Sequence, residues 1–66
     1  MKYEYFIVFQ LDYIDRPSCF GNVIEPLSCP ITKELIRELE KSIKNKENAS
    51  GCVILNFQLL RNFIID

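Results

Sequence analysis

One charged, amphipathic helix, about Thr32–Lys46, lies between two strand-like runs that are apolar on both faces, and no other feature limits the fold as much. A single helix shields one side of a sheet, so a second apolar side must find cover elsewhere. That second side directs the functional reading toward a partner rather than a reaction.

The helix expectation follows from several signals that agree. Thr32 is a good N-cap, and Ile31 before it is placed for a hydrophobic staple with Ile36. Glu34 falls in the first turn, with Lys41, Lys44 and Lys46 toward the last, which suits the helix dipole. Leu35, Leu39 and Ile43 recur every four residues, with Ile36 widening the stripe, and Glu40 with Lys44 makes a favourable pair one turn apart.

Tyr3 to Asp12 reads as the first strand. Tyr3, Tyr5, Ile7, Phe9 and Leu11 alternate onto one face, and Glu4, Phe6, Val8, Gln10 and Asp12 onto the other. The second face is polar only toward its ends, so the strand should be central and packed on both sides in its middle. Asp15-Arg16-Pro17-Ser18 is a turn signal. Cys19 to Glu25 reads as a weaker strand, in which Gly21-Asn22 signals a bulge or a close backbone approach. Pro26 and Pro30 bracket an extended passage at a sheet edge or outside the sheet, because neither can donate to a ladder.

Asn45 to Gly51 is a polar connector, and Cys52 to Leu59 or Leu60 is the final strand. Strict alternation assigns Val53, Leu55, Phe57 and Leu59 to one face and Cys52, Ile54, Asn56, Gln58 and Leu60 to the other. Arg61-Asn62 should interrupt it before the apolar Phe63-Ile64-Ile65, which either folds back onto the core or meets another subunit. The expected fold class is therefore α+β: a three-stranded, mainly antiparallel sheet with one helix packed on one face, in the order β-β-α-β. The hairpin and the crossover favour spatial order 2-1-3, with the last strand beside the second as the other arrangement.

At 66 residues the chain reads as one small domain, and burial and chain entropy nearly cancel at this length. A 48% apolar composition supplies what such a core requires, and more than one copy readily hides. Self-association is accordingly expected through Phe6, Val8, Ile54, Phe63 and Ile64, giving a homodimer. The irregular stretch between the first strands carries the least repetitive chemistry, so Asp12, Asp15, Arg16, Phe20 and Asn22 are the expected contacts to a protein partner.

Enzymatic chemistry finds little support. The chain has no histidine, and Cys19, Cys29 and Cys52 have no neighbouring Lys or Arg to favour the thiolate. The three cysteines lack CxxC spacing and form an odd set, so they read as small buried or half-buried thiols rather than metal ligands or a disulfide framework. Asp12 and Asp15 bracket a turn, where acidic residues are common for solvation alone. No cofactor or metal is expected, and no catalytic residue is assigned.

Eight basic and nine acidic residues leave a net charge of −1, which gives no basic footprint for nucleic acid or an acidic membrane. Single-stranded nucleic acid remains the alternative class of partner. Tyr3, Tyr5 and Phe9 share a strand face on which bases could stack, provided that face is open. The start of the chain does not resemble a signal peptide, and no apolar run approaches the span of a bilayer, so the cytoplasm is the default compartment.

The segments FGNV and PITKELIRELEKSI, followed by CVILNFQLL, resemble a loose class of very short phage and prophage proteins. Those proteins open with a tyrosine-rich strand, carry a glycine-asparagine pair midway, and have a Pro-Ile-Thr helix start and a Val-Ile-Leu-Asn final strand. The resemblance spans nearly the whole chain and brings no catalytic residue. It implies an accessory protein of a mobile element, acting stoichiometrically on a host or phage protein. A fainter likeness to the small partial-barrel antitoxin fold implies an inhibitor that holds a toxin, although the usual DNA-binding tail has no counterpart here.

Overall fold

The computed structural model describes residues 1–64. Its elements follow the order β1 (Lys2–Asp12), β2 (Cys19–Leu27), α1 (Lys33–Lys46) and β3 (Gly51–Phe63). The three strands form one antiparallel sheet in the order β2-β1-β3, so the strand with the strongest two-sided pattern is the central one. This is the 2-1-3 arrangement of an α+β fold.

The core lies on the odd-numbered face of β1. Tyr5, Ile7, Phe9 and Leu11 are buried there, and Ile7 has no exposed surface. Two hydrogen bonds tie the helical segment to the sheet. Tyr5 Oη, on the buried face, accepts from the Ile31 amide at 3.1 Å, just before the helix starts. At the β3 edge, the Ile54 amide donates to the Glu40 carboxylate at 2.8 Å.

The helix begins as its sequence implies, with Thr32 Oγ1 accepting from the Leu35 amide at 3.2 Å. Its C-cap is Glu47, followed by Asn48, whose φ of 56° is a left-handed conformation that asparagine tolerates. There the Ala49 amide reaches back to the Lys44 carbonyl at 3.0 Å and the Asn48 amide to that of Asn45 at 3.3 Å, the paired bonds of a Schellman motif. Ser50 then bonds the Asp12 carbonyl through both its amide and its hydroxyl, which anchors the start of β3 beside the end of β1. The expected Glu40–Lys44 pair does not form. Glu40 instead satisfies a sheet amide, a stronger demand on a carboxylate than a solvated helix-surface lysine.

Two alternatives left open by the sequence are settled in the strands, and one expectation is corrected. Pro26 is inside β2, opposite Glu4, and is tolerated because β2 is an edge strand. Gly21 marks a close approach and not a bulge: the β1–β2 register is regular, and a Cβ at Gly21 would lie 2.8 Å from the Phe9 ring. Arg61-Asn62 does not interrupt β3, because Arg61 pairs across the sheet with Glu4 at 3.2 Å and remains in the ladder.

The irregularity in β3 lies elsewhere. Its register against β1 shifts twice, leaving Leu55 and Leu60 without a partner. Each unpaired residue reverses the parity of the strand. Ile54 therefore stands opposite Phe9 on the buried side, while Val53 stands opposite Gln10 on the other. Phe57 and Leu59 return to the odd-numbered side opposite Ile7 and Tyr5, where the Phe57 ring meets that of Tyr5 edge-on at 6.1 Å, although at this sheet edge both stay partly in solvent, 41% and 46% exposed.

Candidate functional site

Cross-strand register defines the even-numbered face. Along β1 it presents Lys2, Glu4, Phe6, Val8, Gln10 and Asp12. Opposite them on β2 stand Pro26 to Glu4, Ile24 to Phe6, Asn22 to Val8 and Phe20 to Gln10. On β3 the partners are Phe63 to Lys2, Arg61 to Glu4, Gln58 to Phe6, Asn56 to Val8 and Val53 to Gln10.

The middle of this face is apolar and uncovered. Phe20 is 71% exposed, Ile24 55% and Val53 47%, around half-buried Phe6 and Val8. A depression of about 70 Å³ lies between β1 and β3, lined by Phe6, Val8, Asn56, Phe57 and Gln58. The neutral amides alternate with these apolar side chains, Gln10 standing between Phe20 and Val53, Asn22 and Asn56 flanking Val8, and Gln58 beside Phe6, and charge is confined to the two ends. At one end Arg61 is engaged by Glu4 and lies over the Phe63 ring at 4.7 Å, leaving Lys2 as the cation without an ion-pair partner among the described residues. At the other end Asp12 accepts from Gln10 at 2.9 Å and from Ser18 at 2.6 Å. Those two bonds, Ser18 first, hold its carboxyl below the ordinary aspartate range despite a small opposing effect of burial.

The 13–30 segment does not close this face. Ile14 is 94% exposed in the turn, and Phe20 and Ile24 point into solvent from β2. Phe63 is half-buried as the last residue of β3, Ile64 is exposed beyond it, and Ile65 lies outside the described residues. Of the residues expected to self-associate, Phe6, Val8 and Phe63 share the face. Ile54 is a correction: the unpaired Leu55 turns it to the buried side and brings Val53 forward in its place.

The expected partner contacts divide into two groups. Phe20 and Asn22 belong to the uncovered face, with Asp12 at its end. Asp15 and Arg16 lie apart, in an open groove of about 410 Å³ lined by Tyr13, Ile14, Asp15, Arg16, Asn48, Ala49 and Ser50. There the Arg16 guanidinium stacks on the Tyr13 ring at 3.9 Å, and Tyr13 Oη donates to the Glu47 carbonyl at 3.3 Å. Ile24 and Val53 were missing from the sequence-derived site. Ile24 was legible from hairpin register, which sets it beside Phe6; Val53 was hidden by the bulge.

The cysteines also require a correction, because Cys19 and Cys29 are exposed and only Cys52 is half-buried. Burial, with the Glu40 and Asp12 carboxylates adding to it, pushes the Cys52 thiol upward and away from thiolate chemistry. Tyr5 and Phe9, two of the three aromatics suggested as a base-stacking platform, are core residues. Among the described residues, no helix is long and apolar enough to cross a membrane. Comparison with protein families, curated proteins and solved structures found no match to this chain.

Proposed function

We propose that this chain is a non-enzymatic, protein-binding accessory factor that acts as a homodimer in the cytoplasm, as a stoichiometric inhibitor or regulator. The observation that carries the reading is the uncovered face, with Phe20, Ile24 and Val53 exposed around Phe6 and Val8 across all three strands. Large apolar side chains exposed together on one face, interspersed with neutral amides, are characteristic of association sites. The neutral amides and the nearly balanced charge favour a protein surface over phosphate. The absence of histidine from the sequence and the upward-shifted Cys52 thiol favour binding over catalysis. The resemblance to short phage and prophage proteins supports an accessory role for a mobile element. With the face occupied by a second copy, the groove holding Asp15 and Arg16 remains available to a heterologous partner.

Light scattering behind size exclusion, with reducing agent and over a hundredfold concentration range, tests the reading. The expected mass is twice 7.8 kDa, falling toward 7.8 kDa at the lowest concentrations. A mass of 7.8 kDa throughout would contradict it.

A further inference from the structure

The uncovered face also carries information about how a second copy would sit on it. Resting on the dimer reading above, we infer that two copies pack sheet face to sheet face, head to tail, about a two-fold axis that lies between the sheets, perpendicular to the strands and level with Ile7. Three independent features lead to this arrangement.

The sheet edges are guarded against the alternative of edge-to-edge pairing. On β2, Pro26 has no amide to donate. On β3, the register breaks at Leu55 and Leu60, the Ile54 amide is taken by Glu40, and the Phe57 amide by the side-chain oxygen of Asn56 at 2.8 Å. Bulges and occupied amides are devices that keep an edge strand from accepting another strand.

The extent of the face matches what two copies require. Three strands about 4.8 Å apart, with β1 rising about 3.3 Å per residue, present roughly 500 Å² in projection. Two such faces hide about 1,000 Å² before side-chain corrugation is counted, which reaches the lower bound for a specific interface.

The charges choose the direction. Lys2 stands at one end of β1 and Asp12 at the other, ten residues apart, with Ile7 midway. A head-to-tail two-fold sets Lys2 over the partner's Asp12, Glu4 over the partner's Gln10 and Phe6 over the partner's Val8. On β3 it sets Gln58 over the partner's Asn56, and amide meets amide. On β2 it sets Phe20 over the partner's Pro26. The parallel alternative brings Lys2 onto the partner's Lys2 and Asp12 onto the partner's Asp12, which repels at both ends. The usual crossing angle of about −30° between packed sheets offsets the end pairs sideways by about 8 Å and still leaves opposite charge facing at each end.

Spin-label distances test the arrangement. A nitroxide at Met1→Cys, which is 61% exposed and leaves the Lys2 and Asp12 charges in place, in a chain carrying Cys19→Ser, Cys29→Ser and Cys52→Ala, reports the separation of the two chain starts. Head-to-tail packing predicts a separation on the order of 40 Å, twice six residues of strand rise, broadened by the label tethers. Parallel packing predicts a separation near the intersheet spacing of about 10 Å plus the tethers, and that result would overturn the proposal. Edge pairing can also give a long distance, so Ile24→Lys is added in the same background. At 55% exposure the side chain at position 24 tolerates a charge in a single copy, and a face-packed dimer buries it. The dissociation constant should rise at least about tenfold. A long distance with an undiminished dimer in Ile24→Lys would overturn face packing while leaving the dimer standing. A labelled chain of single-copy mass, with no dipolar signal, would remove both the dimer and this geometry.

Discussion

The two faces of one strand behave differently, although both are built from alternating large side chains. On the odd face of β1, Tyr5, Ile7, Phe9 and Leu11 are all buried. On the even face Phe6 and Val8 are only half-buried, and their neighbours Phe20, Ile24 and Val53 remain in solvent. The residue types are similar, and supply of cover makes the difference along β1: the segment leading into α1 reaches its odd face at Tyr5, whereas the even face keeps Phe20, Ile24 and Val53 in solvent beside it. In a chain this short, a hydrophobic pattern with two sides and a single covering element is informative about assembly.

Substitutions at adjacent positions make the sharpest contrast. Ile7→Ala should destabilise by about 2–5 kcal/mol, because it leaves a cavity in a site with no exposed surface. Val8→Ala should cost the single copy about 1 kcal/mol, in proportion to its partial burial, and weaken the dimer in addition. Urea melts over a range of protein concentrations separate the two effects. For Ile7→Ala the loss should be the same at every concentration, whereas for Val8→Ala it should grow as the protein is concentrated. Equal, concentration-independent losses would erase the distinction between the faces.

A somewhat smaller effect belongs to Gly21. An added methyl meets the Phe9 ring at 2.8 Å, and that ring is locked in the buried face, so Gly21→Ala should destabilise by about 1–3 kcal/mol. Combining it with Phe9→Leu should recover part of the loss relative to the sum of the single changes. Strict additivity in thermal melts would show that the clash is relieved elsewhere.

The smallest effect concerns the charged end of the even face. Bonds from Ser18 and Gln10 depress the Asp12 carboxyl in the folded chain, so its stabilisation is present above the unfolded aspartate pKa. It is lost as pH falls through the folded value. Asp12→Asn should flatten the acid limb of a stability–pH profile and leave the neutral limb unchanged. With Lys2 of a second copy overhead, the flattening should be larger at high protein concentration. Identical profiles at low and high concentration would limit Asp12 to its own hydrogen bonds.

The central strand, the helix with its Thr32 cap and the strand order were legible because each rests on local pattern or on short connections. The parity of β3 was not. Val53, Leu55, Phe57 and Leu59 make an ideal alternating stripe, yet the pairing with β1 inserts Leu55 and then Leu60 as unpaired residues. Which side Ile54 faces is therefore set by two-strand geometry, which no single-strand pattern contains. The same limit explains the site: Phe6 and Val8 could be named from their own strand, whereas Val53 could be found only after the bulge was known. Glu40 is a related case. As a helix residue it looks paired with Lys44, and only the approach of the β3 edge reassigns it to the Ile54 amide.

The most direct test of the uncovered face as an interface is side-chain methyl NMR with a soluble paramagnetic probe. The molecule supplies its own standards, Ile7 fully buried and Ile14 94% exposed. If the face is covered by a second copy, the Val8 and Ile24 methyls should be protected nearly as well as Ile7 at high concentration, and should bleach toward the Ile14 level on dilution. Bleaching of Ile24 at the Ile14 level at every concentration would contradict the account, because the face would then stand open in solution.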